Sequence, residues 1–120
     1  MKFELKQHFN IESARFLPHL PKGHPCAKIH GHSFKITVRL QGPLDEKIGW
    51  LIDYNDISAA INPILQKIDH QLLNEVPGLE NPTSELLAFW FYNEAVKILP
   101  QLVQVIVSET PNTEAIYPVL

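Results

Sequence analysis

His30-Gly31-His32-Ser33-Phe34-Lys35-Ile36-Thr37-Val38-Arg39-Leu40-Gln41 is the stretch on which the fold turns. His30, His32, Phe34, Ile36, Val38 and Leu40 share one parity; Ser33, Lys35, Thr37, Arg39 and Gln41 share the other. A strict period of two is a half-buried strand, and Gly42-Pro43 ends it. Residues 2–15 alternate in the same way. Phe3, Leu5, Phe9 and Ile11 face one side, and Lys2, Glu4, Lys6, His8, Asn10 and Glu12 face the other. Between the two strands, Leu17–Lys28 is a loop carrying Pro18, His19, Pro21, Gly23, His24 and Pro25.

Downstream the period changes. Gly49-Trp50-Leu51-Ile52-Asp53 reads as a short extended stretch. Ile57, Ala60, Ile61, Ile64, Leu65 and Ile68 then recur at helical spacing, with Asp53 or Asn55 as the cap and Pro63 expected to kink the helix or open a second turn. Asn81-Pro82-Thr83-Ser84-Glu85 starts a second helix, whose stripe is Leu87, Trp90, Phe91, Ala95 and Ile98 before Pro100. Val103, Val105 and Val107 mark a third strand. A turn at Pro111-Asn112-Thr113 leads to a last one near 115–119, where Pro118 suits an edge. This order predicts an α+β fold: a four-stranded antiparallel sheet with two helices on one face.

Length and composition bound the rest. A chain of 120 residues is expected to form one domain, residues 1–120, and to bury roughly 65% of its unfolded surface. Apolar residues make up 45% of it, which argues against disorder. The single cysteine, Cys26, has no partner within the chain, so no disulfide framework exists. A free thiol, together with a start that alternates and has no apolar run, predicts a cytoplasmic protein. No stretch reaches the ~18 apolar residues of a membrane span. The formal net charge of −3 without a basic block makes nucleic acid an unexpected ligand.

Parity also places ionisable groups on the apolar face. Arg15 aligns with Ile11, His30 and His32 with Phe34, and Glu109 with Val107. A charge toward a core is costly unless paired or functional. His30-Gly31-His32 is two imidazoles at i and i+2 on one side of a strand. They either hold a metal or are two satisfied histidines. Cys26 is either an activatable thiol or a small buried hydrophobe; Lys22, His24 and Lys28 lie near it in sequence. Asp69-His70 is either an oriented acid/base pair or a helix C-terminus with a dipole-favoured imidazole. Glu109 can accept two parallel N–H bonds from a guanidine-like ring edge, or sit in a salt bridge.

Together these segments resemble the family of 6-pyruvoyl-tetrahydropterin and 6-carboxy-tetrahydropterin synthases. Cys26-Ala27-Lys28-Ile29-His30-Gly31-His32 is similar to its Cys-x-x-x-His-Gly-His motif. Gly49-Trp50-Leu51-Ile52-Asp53-Tyr54, Ile68-Asp69-His70, Leu73-Asn74, Asn81–Glu85 and Glu109-Thr110 match in order from about Phe9 to Tyr117. The resemblance implies a tunnelling fold, whose sheets close into multi-subunit barrels, expected here as a homohexamer with sites between subunits. It implies Cys26, Asp69 and His70 for proton transfer and Glu109 for anchoring a pterin. It also implies Zn2+ held by His30, His32 and a third ligand. The implied reaction is the queuosine-pathway lyase step, upstream of tRNA modification, that makes 6-carboxy-5,6,7,8-tetrahydropterin from 7,8-dihydroneopterin triphosphate; the alternatives are 6-pyruvoyl-tetrahydropterin synthase activity with the same residues, or a zinc-poor pterin-binding oligomer. The third ligand position is Arg15 here, and guanidinium does not ligate a metal. His8 has the wrong parity and lies roughly 23 Å of strand away, which leaves His19 or His24 on the loop.

Overall fold

Strand β1 (Phe3–Arg15) and strand β2 (His30–Gly42) form an antiparallel ladder that runs from Phe3↔Gly42 to Arg15↔His30. The computed structural model describes residues 1–120. Helix α1 (Tyr54–Gln66) and helix α2 (Ser84–Ala95) follow, then β3 (Leu102–Ser108) and β4 (Ala115–Tyr117). The sheet order is β1-β2-β3-β4, every pair antiparallel. The fold matches the expected order of elements.

The core lies where the alternation placed it. Ile11, Phe34, Ile36, Val38, Leu40, Val105 and Val107 are buried against Ile57, Ile61, Ile64, Leu87, Ala88, Phe91 and Ala95 of the two helices. The helices begin at side-chain caps. Asp53 accepts from the backbone N–H of Asn55 (2.9 Å), and Thr83 accepts from that of Leu86 (3.1 Å). On the sheet's other face, Thr37 and Gln104 are buried among polar partners: Thr37 Oγ1 meets His8 Nδ1 at 2.7 Å, and Gln104 donates to the Pro118 carbonyl at 2.9 Å.

Three local expectations are corrected. Gly49–Asp53 pairs with no strand and forms a turn into α1. Helix α1 runs through Pro63 to Gln66, because Pro63 and Ala59 are both exposed and water can take the carbonyl that the proline leaves unbonded. Ile98 lies beyond α2 and is half exposed, and Leu99 fills the core in its place.

The two ends of the long hairpin are covered unequally. Ile11, Ser13 and Arg15 at its far end are buried, while Leu5, Gln7 and Phe9 are only half-buried. The chain measures 58 × 25 × 22 Å and exposes 7215 Å². A compact monomer of this mass would expose about 6,600 Å². The excess comes from a hairpin longer than the helices can cover. No helix is long and apolar enough to cross a membrane.

Candidate active site

The last rung of the β1–β2 ladder pairs Arg15 with His30, and the rung one pleat back on that face pairs Ser13 with His32. Because the period is two, Arg15, His30 and His32 share the core-facing side at its rim. Glu109, one residue past β3, joins them. Arg15 is only 3% exposed. One terminal nitrogen donates to Glu109 Oε1, and the other donates to the Pro82 carbonyl at 3.0 Å. Its guanidinium lies over the Phe34 ring, 5.2 Å from the centroid. Its Nε is buried without a partner.

Glu109 is thus fixed from two sides, since Ser84 Oγ also donates to Oε1. Its second oxygen, Oε2, lies 3.8 Å from His32 Nε2 and makes no hydrogen bond to it. Burial pushes the Glu109 pKa up. The hydrogen bonds from Ser84 and Arg15, with the charge of Arg15, outweigh that and leave the carboxyl below its ordinary value. The same surroundings act oppositely on His32. Burial lowers its pKa, Arg15 lowers it further, and the opposing pull of Glu109 does not compensate. His32 is therefore a neutral imidazole near pH 7. The His30 and His32 rings meet edge to face at 4.7 Å between centroids. His30 Nδ1 is 2.6 Å from the Lys28 carbonyl, so its proton sits there and Nε2 carries the lone pair.

Asp69 and His70 reach the same rim by a different route. After α1 the chain turns back along the free edge of β1. Ser13 Oγ donates to the Ile68 carbonyl, His70 N–H donates to the Glu12 carbonyl (2.7 Å), and Ala14 N–H donates to the Gln71 carbonyl (3.0 Å). The turn needs a left-handed residue, and His70 supplies it at φ 58°. Asp69 Oδ1 accepts from Glu12 N–H at 3.0 Å and lies 3.0 Å from His70 Nδ1. The Glu12 N–H, helped by His70, holds the Asp69 carboxyl below its ordinary range against the effect of burial. A cleft of about 540 Å³ opens between this segment and the strand ends, with His70, His32, Ser33 and Glu12 on its walls.

Cys26 is elsewhere. It sits half-buried in the 3-10 turn Pro25–Ala27, and it does not line the cleft that His32 and His70 share. Its N–H donates to His24 Nδ1 at 3.1 Å and its carbonyl accepts from Leu17 N–H at 2.8 Å, which ties the loop to the end of β1. No three His, Cys, Asp or Glu side chains come together as a metal-holding group. The structure therefore gathers Arg15, His30, His32 and Glu109, brings His70 with Asp69 to the adjoining cleft, and leaves Cys26 on the loop.

Three contributors were not assigned a role from sequence. Ser84 reads as a helix start, yet Thr83 does the capping and frees Ser84 Oγ for Glu109. The Pro82 carbonyl carries no side-chain signal. Asn74 accepts from Phe16 N–H (3.0 Å) and donates to the Phe16 carbonyl (2.8 Å), mimicking a strand partner just past Arg15. Its place after Leu73 in the matched motif was the available hint.

Comparison with known proteins supplies the context for this arrangement. The sequence matches the family described as 6-pyruvoyl tetrahydropterin synthase over residues 4–118. It is 34% identical over 115 residues to a 6-carboxy-5,6,7,8-tetrahydropterin synthase of Synechocystis sp., covering 91% of this chain and 88% of that one. A putative 6-carboxy-5,6,7,8-tetrahydropterin synthase of Archaeoglobus fulgidus is 39% identical over 75 residues, 62% of this chain and 63% of that one. The solved 6-pyruvoyl tetrahydropterin synthase of Caenorhabditis elegans superposes with a TM-score of 0.90, covering 98% of this chain and 95% of that one at 21% identity, a likeness of fold.

Proposed function

The chain belongs to the 6-pyruvoyl tetrahydropterin synthase family, and from that premise we propose that it is a 6-carboxy-tetrahydropterin-forming lyase. Its substrate is 7,8-dihydroneopterin triphosphate, which with water gives 6-carboxy-5,6,7,8-tetrahydropterin, acetaldehyde and triphosphate. The observation that carries this reading is Glu109. Its carboxylate is held ionised at a strand end, with Oε1 committed to Arg15 and Ser84 and Oε2 without a hydrogen bond. A pterin presents a guanidine-like edge, one N–H of which can donate to the open Oε2. The similarity to the Synechocystis synthase over most of both chains supports the same substrate.

The remaining roles rest on chemistry. Asp69 orients the His70 ring through the 3.0 Å contact to Nδ1 and leaves Nε2 facing outward for proton transfer. His30, with its proton committed to Lys28, offers Nε2 as an acceptor for a side-chain hydroxyl of the substrate. Cys26 is the second proton-transfer group. Its distance from the His32–His70 cleft is accounted for if Cys26 works on a cleft of a neighbouring subunit. The uncovered hairpin and excess surface support assembly into closed multi-subunit barrels, as a homohexamer. The lone unpaired thiol supports a cytoplasmic setting, and the product fits a route to queuosine.

Zinc, which the family resemblance implies, does not fit the residues present. A catalytic zinc takes three protein ligands, and here the third position holds a permanent cation. A guanidinium has no lone pair to offer a metal, and no three His, Cys, Asp or Glu side chains converge there to replace it.

The test is turnover. Purified protein should consume 7,8-dihydroneopterin triphosphate and release acetaldehyde. Cys26→Ala should abolish that while retaining pterin binding. Wild-type protein that binds 7,8-dihydroneopterin but never releases acetaldehyde, with or without added zinc, would instead be a pterin-binding oligomer, the reading that Arg15 alone favours.

A further inference from the structure

We propose that this site is built to hold no metal, because the Arg15 guanidinium occupies the third ligand position as a built-in cation and fixes Glu109 for its ligand. The part concerning the ligand of Glu109 rests on the pterin reading above; the part concerning metal does not.

Arg15 is a fixed part of the site. It faces His30 across the last rung of the ladder and is buried to 3% exposure. Its contacts are to Glu109, to the Pro82 carbonyl and to the face of Phe34. Swinging it aside to admit a cation would strand the Glu109 carboxylate and the carbonyl together. Guanidinium has no lone pair to offer and does not deprotonate in proteins. So the position neither ligates nor tolerates a divalent ion nearby.

No other imidazole completes a site. His8 lies on the opposite face of β1, bonded to Thr37. His24 and His70 keep Nε2 free, with Nδ1 committed to the Cys26 N–H and to Asp69, but neither converges with His30 and His32 into a metal-holding group. His19 alone makes no side-chain hydrogen bond, and it sits exposed in the loop turn after β1.

Arg15 also acts through Glu109 as a positioning residue. Its donor and the Ser84 hydroxyl converge on Oε1, which fixes the carboxylate plane and leaves Oε2 as the oxygen available to a ligand. In a site with histidine at position 15 that donor would be spent on metal. Here the same position orients the anchor.

The experiment compares wild type with Arg15→His and Arg15→Gln. Each is expressed in zinc-replete medium, purified without chelator and analysed for zinc per protomer. Each is then titrated calorimetrically with zinc chloride alone, and separately with 7,8-dihydroneopterin. The wild type should retain far less than one zinc per protomer, and Arg15→His should rise toward one. Arg15→Gln should stay zinc-poor and bind 7,8-dihydroneopterin about tenfold or more weakly, although Glu109 is intact. Stoichiometric zinc in the wild type overturns the proposal, as does zinc lost on His19→Ala, or unchanged 7,8-dihydroneopterin affinity in Arg15→Gln. A zinc-free wild type inert toward 7,8-dihydroneopterin triphosphate counts against the lyase reading alone and still supports the metal-free site. Should Arg15→His not fold, wild-type zinc content and Arg15→Gln affinity decide.

Discussion

Replacing Glu109 by glutamine keeps the shape of the side chain and an oxygen for Ser84, and removes the charge that balances Arg15. Taking one partner from a fully buried ion pair costs about 3–5 kcal/mol. Glu109 keeps 23% of its side chain exposed, so water screens the orphaned guanidinium, and the amide oxygen still accepts a neutral hydrogen bond. The expected loss is therefore about 1–2 kcal/mol, the scale of one hydrogen bond to a charged group. For a chain of this size that lowers the melting temperature by roughly 4–8 °C at pH 7. The sign of the pH dependence comes from the depressed Glu109 pKa. The folded protein holds this proton more weakly than the unfolded chain. The stabilisation is thus fully present above the ordinary carboxyl value of 4.5 and is lost as pH falls through the lower folded value. Thermal melts of both proteins from pH 7 to 3, followed by circular dichroism at one protomer concentration, should show a constant gap down to about pH 5 that closes below it. Other carboxylates, Glu4, Asp69 and Glu94, titrate low as well, but they are common to both proteins and cancel in the difference. A gap that does not shrink between pH 5 and pH 3, or none at pH 7, would refute the pairing of Glu109 with Arg15.

Asp69→Asn should leave the melting temperature within a few degrees, because Asn can still accept from Glu12 N–H; the lost charge beside His70 should lower kcat tenfold or more, and wild-type kcat would remove Asp69 from the mechanism. Light scattering at micromolar concentration should report a particle several times the 13.7 kDa chain, and a stable monomer would contradict a site shared between subunits.

How far the sequence reaches is visible at single residues. The parity of Arg15, His30, His32 and Glu109 was legible because a strand's period is fixed at two and no bulge interrupts β1 or the end of β2. The one register shift in the β2–β3 ladder falls between Arg39 and Leu40, away from the rim. The helix starts near Asp53 and within Asn81–Glu85 were legible because capping is local chemistry, although which residue caps was not. Ile98 misled because the stripe continued past α2 after the backbone had left the helix. What the pattern could not carry is non-local. Nothing in Ile68–Leu72 announces that its backbone pairs with β1, and nothing in Pro82 announces a carbonyl for Arg15. Nothing in the loop sequence announces that Cys26 stands apart from the cleft that His32 and His70 share.

The backbone clamp between residues 68–72 and β1 has a consequence for how the site opens. The amides of His70 and Ala14 are spent on carbonyls of Glu12 and Gln71, and that of Glu12 on the Asp69 carboxylate. Lifting His70 off the edge therefore breaks the bonds that bury this end of β1, and fraying β1 releases His70 in turn. In hydrogen-exchange terms these three amides belong to one cooperative unit and should lose protection together. The His70 imidazole and the strand that carries Arg15 therefore share one opening equilibrium, so this rim loosens as a whole or not at all.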